Sequence, residues 1–227
     1  MRLNKFISET GVCSRREADK WIEAGRVTCN GQPAALGTRV LDGDEVRVDG
    51  EPVGAKKKPI YIALNKPVGI NCTTEPDIDG NIIDLVGHPD RIFPIGRLDK
   101  DSEGLILLTN NGDIVNEILR SENNHEKEYI VTVDRPITDL SLKMMASGVK
   151  IMGVLTKPCK VSRIDQESFR MILTQGLNRQ IRRMCSALGY KARRLQRVRI
   201  MNIHLGVLSG GAWRHLTDAE LAGLLPD

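Results

Sequence analysis

Three strand-like runs from residue 59 onward restrict the fold more than any other feature of this sequence. "PIYIALNKPVG" (59–69) alternates its apolar side chains, "GLILLTNNG" (104–112) is continuously apolar up to an Asn-Gly turn, and "KEYIVTVD" (127–134) places Tyr129, Val131 and Val133 on one face. A short amphipathic segment, "DIVNEILRSE" (113–122), lies between the last two. A doubly wound parallel sheet needs a helix after each strand. The pattern therefore predicts an α+β fold.

The segment "EPVGAKKKP" (51–59) divides the chain, because proline, glycine and a lysine run interrupt the regular patterning there. A chain of 227 residues has room for two domains. We expect a small N-terminal domain with its linker over residues 1–55 and a larger domain over residues 56–227.

Composition excludes several classes of protein. Apolar residues make up 41% and charged residues 27% of the chain, as in ordinary globular proteins. The longest apolar run, "GLILL", is far too short to cross a bilayer, and the N-terminus lacks the apolar core of a secretory signal. Five scattered cysteines without a C-x-x-C pair indicate free thiols rather than disulfides or a zinc site. We expect a cytoplasmic monomer without membrane association.

The first fifty residues predict two short helices followed by short strands. "RLNKFISE" and "SRREADKWIEAG" carry apolar residues at helical spacing, and Ser14 with Glu17 forms a capping box at the start of the second helix. Arg16 and Lys20 lie opposite the apolar stripe of that helix. By pattern alone, this basic face is equally consistent with solvation and with an anionic partner.

A basic block follows in the second half of the chain. From Ser168 to Thr217 there are ten arginines and lysines and no acidic residue. Within it, "NRQIRRMCSALG" predicts a helix that begins at Asn178 as N-cap, with an apolar stripe on one side and three arginines, Arg179, Arg182 and Arg183, on the other. The next segment, "KARRLQRVR", adds five cations. The block favours a nucleic-acid partner over a merely solvated face.

Three carboxylates, Asp99, Asp101 and Glu103, lie within five positions in the first half of "IGRLDKDSEGLILLTNNGD" (95–113). They could close a turn before the apolar strand. They could hold a magnesium ion in a phosphodiesterase. One of them could instead act as a single catalytic carboxylate set against a cation. Spacing alone does not choose among these three interpretations.

The N-terminal segments "RLNKFISETGVCSRREADKWIEAGRVTCNG" and "VLDGDEVRV" resemble the small RNA-binding module called the alpha-L motif. This resemblance implies that five cations face RNA phosphates: Arg2, Lys5, Arg15, Arg16 and Lys20. Contacts of this kind position an RNA without reading its sequence.

The rest of the chain resembles the pseudouridine synthases of ribosomal RNA that carry an alpha-L module. The resemblance rests on "LNKPVG", "FPIGRLDKDSEGLILLTNNGD", "KEYIVTV" and "QGLNRQIRRM", in that order. It implies a catalytic domain built on a mixed, mainly antiparallel sheet. It also implies isomerisation of uridine to pseudouridine in ribosomal RNA, chiefly 23S RNA of the large subunit. The sequence leaves open whether the substrate is naked RNA, an assembly intermediate of the large subunit or a transfer RNA. Because the reaction is an isomerisation, we expect no cofactor and no metal.

The same resemblance implies roles for individual residues. Asp99 would be the catalytic carboxylate, Tyr129 would pack against the flipped base and take part in the proton step, and Arg182 would pair with Asp99. Asp101 and Glu103 would have no catalytic role and would only belong to the turn before the apolar strand. Independently of the resemblance, we predict that the arginine-rich segment 179–199 holds the RNA backbone on either side of the target base. The residues that we expect to contact RNA in this domain are Arg97, Arg179, Arg183, Arg194 and Arg197. A non-catalytic RNA-binding or ribosome-assembly protein is the alternative, and a metal-dependent nuclease is a second one.

Overall fold

The computed structural model describes residues 1–119 and 125–224, which form two compact units. The first unit comprises Met1–Ile60 and His88–Ile92, and the second comprises Tyr61–Gly87 and Phe93–Asp227. The sequence predicts a boundary between residues 55 and 56. Packing divides the chain between Ile60 and Tyr61, and it groups His88–Ile92 with the first unit.

The first unit contains two helices and a small antiparallel sheet. Its elements are α1 (Leu3–Glu9), α2 (Arg15–Glu23), β1 (Val27–Cys29), β2 (Gln32–Pro33), β3 (Val46–Val48) and β4 (Glu51–Pro52), and the strand order is β2-β1-β3-β4. Ser14 Oγ accepts a hydrogen bond from the Glu17 amide at 3.1 Å, which confirms the predicted capping box. Leu3, Ile7 and Ile22 are buried between the helices and the sheet.

The second unit is built on a nine-stranded sheet. Its elements are β5 (Tyr61–Lys66), α3 (Ile82–Val86), β6 (Phe93–Ile95), β7 (Glu103–Thr109), α4 (Asp113–Leu119), β8 (Lys127–Val133), α5 (Asp139–Ser147), β9 (Lys150–Ile151), β10 (Val154–Leu155), β11 (Lys160–Arg163), β12 (Ser168–Leu173), α6 (Gln180–Ala187), β13 (Ala192–Ile200), β14 (Ile203–His204), β15 (Trp213–His215) and α7 (Asp218–Leu224). The end of the predicted segment 113–122 lies outside the described residues. No helix in the described ranges is long and apolar enough to cross a membrane.

One parallel pairing joins the two halves of this sheet. The strand order is β11-β12-β8-β13-β7-β5-β15, with β14 paired to β13 and β6 paired to β7. The pairing of β13 with β7 is parallel, with Gln196 opposite Glu103 and Arg197 opposite Gly104, while the other described pairings are antiparallel. We call this parallel pairing the seam. The sheet is mixed and mainly antiparallel, as the resemblance implies.

Gly104 permits the close approach of the strands at the seam. Its φ angle is +104°, and a Cβ atom added there would lie 2.2 Å from the carbonyl oxygen of Arg197. Each side of the seam has its own core. Val131, Phe169 and Met184 are buried on one side, and Leu107, Ile118 and Ile203 are buried on the other. The seam therefore connects two separately packed halves.

Candidate active site

A cavity of about 670 Å³ lies beside the seam in the second unit. Among its described lining residues Asp99 is the one acid, whereas five are cations: Arg97, Lys127, Arg179, Arg182 and Arg197. Tyr129 also lines it. The cavity therefore combines a single carboxylate and a phenol with a surplus of positive charge, which suits a polyanionic substrate.

Asp99 stands at the turn that links β6 to β7. Its carbonyl oxygen accepts a hydrogen bond from the Ser102 amide at 3.0 Å, and the amide of the preceding Leu98 donates to Cys72 Sγ at 3.4 Å. The side chain is half-buried. Within residues 1–119 and 125–224 its carboxylate forms neither a hydrogen bond nor an ion pair. It is thus left available to a substrate group in the cavity.

The other two carboxylates of the stretch are occupied by arginines. Asp101 accepts two hydrogen bonds from Arg179, at 3.1 and 2.6 Å, and this contact lowers the pKa of Asp101 below its ordinary value. Glu103 accepts from Nε of Arg194 at 2.5 Å. Asp101 and Glu103 are therefore each paired with a different arginine, and no group of three potential metal ligands occurs in the described part of the chain.

The partner of Arg182 differs from the one that the resemblance implies. Its Nη2 donates to the carbonyl oxygen of Asp101 at 2.6 Å and to Ser102 Oγ at 3.2 Å, and its Nη1 donates to the carbonyl of Ala192 at 2.9 Å. Its Nε lies 3.5 Å from the Asp101 carboxylate. Among the described residues there is no ion pair between Arg182 and Asp99. In this structure Arg182 instead holds the backbone of the turn that presents Asp99.

Tyr129 lies on β8, directly opposite Arg197 on β13. Cζ of Arg197 is 6.0 Å from the centroid of the tyrosine ring, within the range of a cation–π contact. The RNA contact predicted for Arg197 stays a prediction, and because this residue is only 4% exposed, such a contact would lie inside the cavity and not on the outer surface. Arg197 belongs to the wall of the cavity, and its Nε donates to the carbonyl of Leu105 at 2.7 Å.

Helix α6 begins one residue later than the sequence predicts. The N-cap is Arg179, with a left-handed backbone (φ 50°, ψ 34°), and not Asn178. Asn178 instead accepts hydrogen bonds from Arg183 through its carbonyl and its side-chain oxygen, at 3.0 and 3.1 Å. The predicted apolar stripe is confirmed, since Ile181 and Met184 are buried and Cys185 lies with them in the core.

The remaining residues that were predicted to contact RNA are exposed arginines and two lysines that form ion pairs. Four of these arginines are exposed: Arg2, Arg15, Arg16 and Arg97. Lys20 is also exposed and lies 3.6 Å from Glu17, while Lys5 lies 3.5 Å from Glu9. Surface ion pairs of this kind are weak, so an RNA phosphate can compete for these lysines.

Two lysines near the site were not among the predicted site residues. Lys66 at the end of β5 is fully buried and donates to the carbonyls of Pro67 and Ile70 at 2.8 and 3.0 Å. Burial lowers the pKa of Lys66, against the opposing effect of the nearby carboxylates. The sequence contained a signal for the burial of Lys66, because a strand has a period of two and Lys66 follows Ile62 and Leu64 on the same face in "YIALNK". Lys127, two residues before Tyr129, lines the cavity.

Comparison with protein families identifies both units. The family described as RNA pseudouridylate synthase matches residues 60–187, and the S4 domain family matches residues 1–46. The S4 match agrees with the RNA-binding module predicted for the N-terminus. A crystal structure titled as a pseudouridylate synthase superposes with a TM-score of 0.74 at 31% identity, covering 99% of this chain and 100% of the other.

Curated relatives agree with these matches. The dual-specificity RNA pseudouridine synthase RluF of Escherichia coli (strain K12) is 55% identical over 226 residues, which cover 99% of this chain and 78% of the relative. The ribosomal large subunit pseudouridine synthase B of Bacillus subtilis (strain 168) is 32% identical over 232 residues, which cover 98% of this chain and 95% of the relative. The segments "HEKEYIVTVD" and "RQIRRMC" most resemble synthase F, and the first relative confirms that resemblance. The chain belongs to the RNA pseudouridine synthase family, in the group that carries an N-terminal S4 domain.

Proposed function

We propose that Asp99 is the catalytic carboxylate of this RNA pseudouridine synthase and that its substrate is ribosomal RNA of the large subunit. The observation that carries the proposal is the state of the three neighbouring acids. Asp101 and Glu103 are paired with Arg179 and Arg194, whereas Asp99 lines the cavity with no ion pair among the described residues.

The surroundings of Asp99 suit a carboxylate that acts on the sugar. Conversion of uridine to pseudouridine breaks the bond from the anomeric carbon to nitrogen, turns the uracil and rejoins it through ring carbon five. A carboxylate can open this reaction as a nucleophile or as a base, by analogy with glycosidases.

Tyr129 and Arg182 have different roles in this proposal. Tyr129 packs against the flipped base and accepts the proton from carbon five, directly or through water. Arg182 fixes the Asp101–Ser102 turn and so holds Asp99 in place. Extrusion of the base from its stack costs a few kcal/mol, which contacts of the cavity with the flanking RNA offset.

The choice of RNA rests on charge and on the names of relatives. The exposed arginines of α2 and the cationic cavity support a polyanionic substrate. One relative is named for the large ribosomal subunit and another for dual specificity towards RNA. We propose large-subunit ribosomal RNA as the main substrate and transfer RNA as a second one. We further propose that the protein acts as a monomer in the cytoplasm, and the free cysteines are consistent with that compartment.

The test is release of tritium from ribosomal RNA labelled at carbon five of uridine. The native protein should release tritium, Asp99→Asn should release none while still binding the RNA, and Glu103→Gln should retain most of the activity. Equal loss in Asp99→Asn and Glu103→Gln would contradict the assignment of Asp99.

The same assay separates the two alternatives. An RNA-binding or ribosome-assembly protein would bind the RNA without releasing tritium. A metal-dependent nuclease would lose its activity in EDTA and would cleave the RNA. Tritium release that persists in EDTA, with the RNA intact, supports the synthase.

A further inference from the structure

Arg197 is a buried cation that forms no ion pair with an acid in residues 1–119 and 125–224. It is 4% exposed, its Nε donates to the carbonyl of Leu105, and its Nη2 is buried with no hydrogen-bond partner among the described residues. Its neighbours on β13 differ, because Arg194 pairs with Glu103 and Arg199 pairs with two glutamates. A buried charge without a partner is destabilising. A residue that is kept in this state calls for a functional explanation.

A second cation lies on the same wall of the cavity. Lys127 and Tyr129 are two residues apart on β8 and therefore share a face, and Arg197 is directly opposite Tyr129 on β13. Nζ of Lys127 donates to the carbonyl of His125 at 3.3 Å, and Lys127 has no ion pair within the described ranges. Burial lowers the pKa of Lys127, and the charge of Arg197 adds to this effect. Two cations thus flank Tyr129 in the cavity that Asp99 enters.

The reaction creates negative charge on the uracil. When the bond from the anomeric carbon to ring nitrogen breaks, its electron pair stays on the uracil, and the anion spreads over that nitrogen and the two carbonyl oxygens. Carbon five then forms the new bond to the sugar and loses its proton, while the nitrogen gains one, so the product is an isomer. Fixed cations in a site that excludes water stabilise such a charge strongly.

We propose that Arg197 and Lys127 form a cationic wall that stabilises the uracil anion between the breaking of the old bond and the formation of the new one. The inference rests on the proposed function, since Asp99 is assigned there to the sugar. The inference adds two side chains, Arg197 and Lys127, that act on the base. The alternative role for Arg197 is purely to hold the ring of Tyr129, and that role is an outcome of the test.

The test compares two RNAs under single turnover with excess enzyme. Large-subunit ribosomal RNA is transcribed with uridine or with 5-fluorouridine, and the loss of the starting nucleoside is followed after nuclease digestion. Fluorine withdraws electrons and makes uracil more acidic, so its anion needs less help from the protein. Arg197→Met should slow the reaction of uridine RNA about 100-fold, the cost typical of removing one group that stabilises an anionic transition state. The deficit should be about tenfold smaller with 5-fluorouridine RNA.

Further variants separate charge from structure. Arg197→Lys should restore much of the rate because it keeps the charge. Lys127→Met should also lose less rate, relative to the native protein, with 5-fluorouridine RNA than with uridine RNA. If Arg197→Met does not fold, the test is made with Lys127→Met. Lys150→Met, which removes an exposed lysine of β9, should match the native rate on both RNAs.

Equal deficits of Arg197→Met and Lys127→Met on the two RNAs would overturn the proposal and leave Arg197 as a support for Tyr129. Failure of the proposed function has a different signature. In that case Asp99→Asn would remain active on uridine RNA, whatever the two cation variants show.

Discussion

Replacement of Gly104 by alanine should strongly destabilise the second unit, because the new methyl group meets backbone on the opposite strand. The added Cβ would lie 2.2 Å from the carbonyl oxygen and 2.7 Å from the amide nitrogen of Arg197. Backbone atoms in a paired strand cannot rotate away as a side chain can. The φ angle of +104° is also one that L-residues rarely adopt.

The expected loss in the free energy of unfolding is the sum of backbone strain and overpacking. A strained backbone conformation costs about 1–3 kcal/mol, and overpacking costs about as much again. The sum, about 2–6 kcal/mol, is a large part of the 5–15 kcal/mol that holds a typical domain folded. With a urea dependence of about 2 kcal/mol per molar, a loss of about 4 kcal/mol lowers the unfolding midpoint by about 2 M.

Urea unfolding followed by the fluorescence of Trp213 measures this effect, because Trp213 lies in the second unit. A Trp21→Phe background removes the signal of the first unit. The matched control is Gly210→Ala, since nothing lies within 4 Å of a Cβ added there. That control should shift the free energy of unfolding by less than about 0.5 kcal/mol. If Gly104→Ala and Gly210→Ala unfold at the same midpoint, the steric account of the seam is refuted.

Three further predictions concern charge. Arg16→Gln should weaken RNA binding and lower the slope of log affinity against log salt by about one, as measured by filter binding in a salt series; an unchanged slope would show that Arg16 contacts no phosphate. Asp101 has a lowered folded pKa because of Arg179, so its stabilisation is present above the ordinary pKa of about 3.9 and is lost as the pH falls through the folded value. Asp101→Asn should therefore lower the free energy of unfolding at pH 7 by under about 1 kcal/mol, because the pair is exposed, and the gap to the native protein should shrink as the pH falls below the ordinary pKa of an aspartate; a constant gap would argue against the ion pair. Arg214 lowers the pKa of Glu220 from 4.5 to about 2, so Glu220→Gln should cost at most about 3 kcal/mol in urea unfolding at pH 7, and this cost should disappear as the pH falls from 4.5 to 2. A cost of Glu220→Gln that persists at pH 2 would contradict the pKa assignment.

Local features of the fold were predictable from the sequence because their causes lie within a few residues. The Ser14–Glu17 capping box joins residues three positions apart, and the alternation in β8 needs only the period of two that a strand imposes. The buried stripe of α6 follows from helical spacing in the same way. The resemblance to a known family supplied what these patterns could not, namely which of the three clustered acids to select.

The electrostatic environment of the site was not predictable from the sequence because its partners are distant in the chain. The basic block lacks acids of its own, yet Arg179 pairs with Asp101 across 78 residues and Arg194 pairs with Glu103 across 91. A count of charges within the block misses the acids that neutralise these arginines, because those acids lie elsewhere in the chain. The same limit applies to Arg197, whose burial depends on β7, and to the N-cap of α6, where the Asp101 contact accompanies an unusual backbone at Arg179.

The seam also has a consequence for the order in which the protein folds. The hydrogen bond from Arg197 to Leu105 joins residues 92 positions apart, so it closes a long chain loop, and such contacts slow folding. Each half of the sheet has its own buried core and can collapse first. Asp99 lies on one side of the last junction, and Tyr129 and Arg197 lie on the other. Because the proposed catalytic groups come from both halves, we expect nascent or partly folded chains to be inactive until the halves dock, and the recovery of activity during refolding should follow the slowest phase.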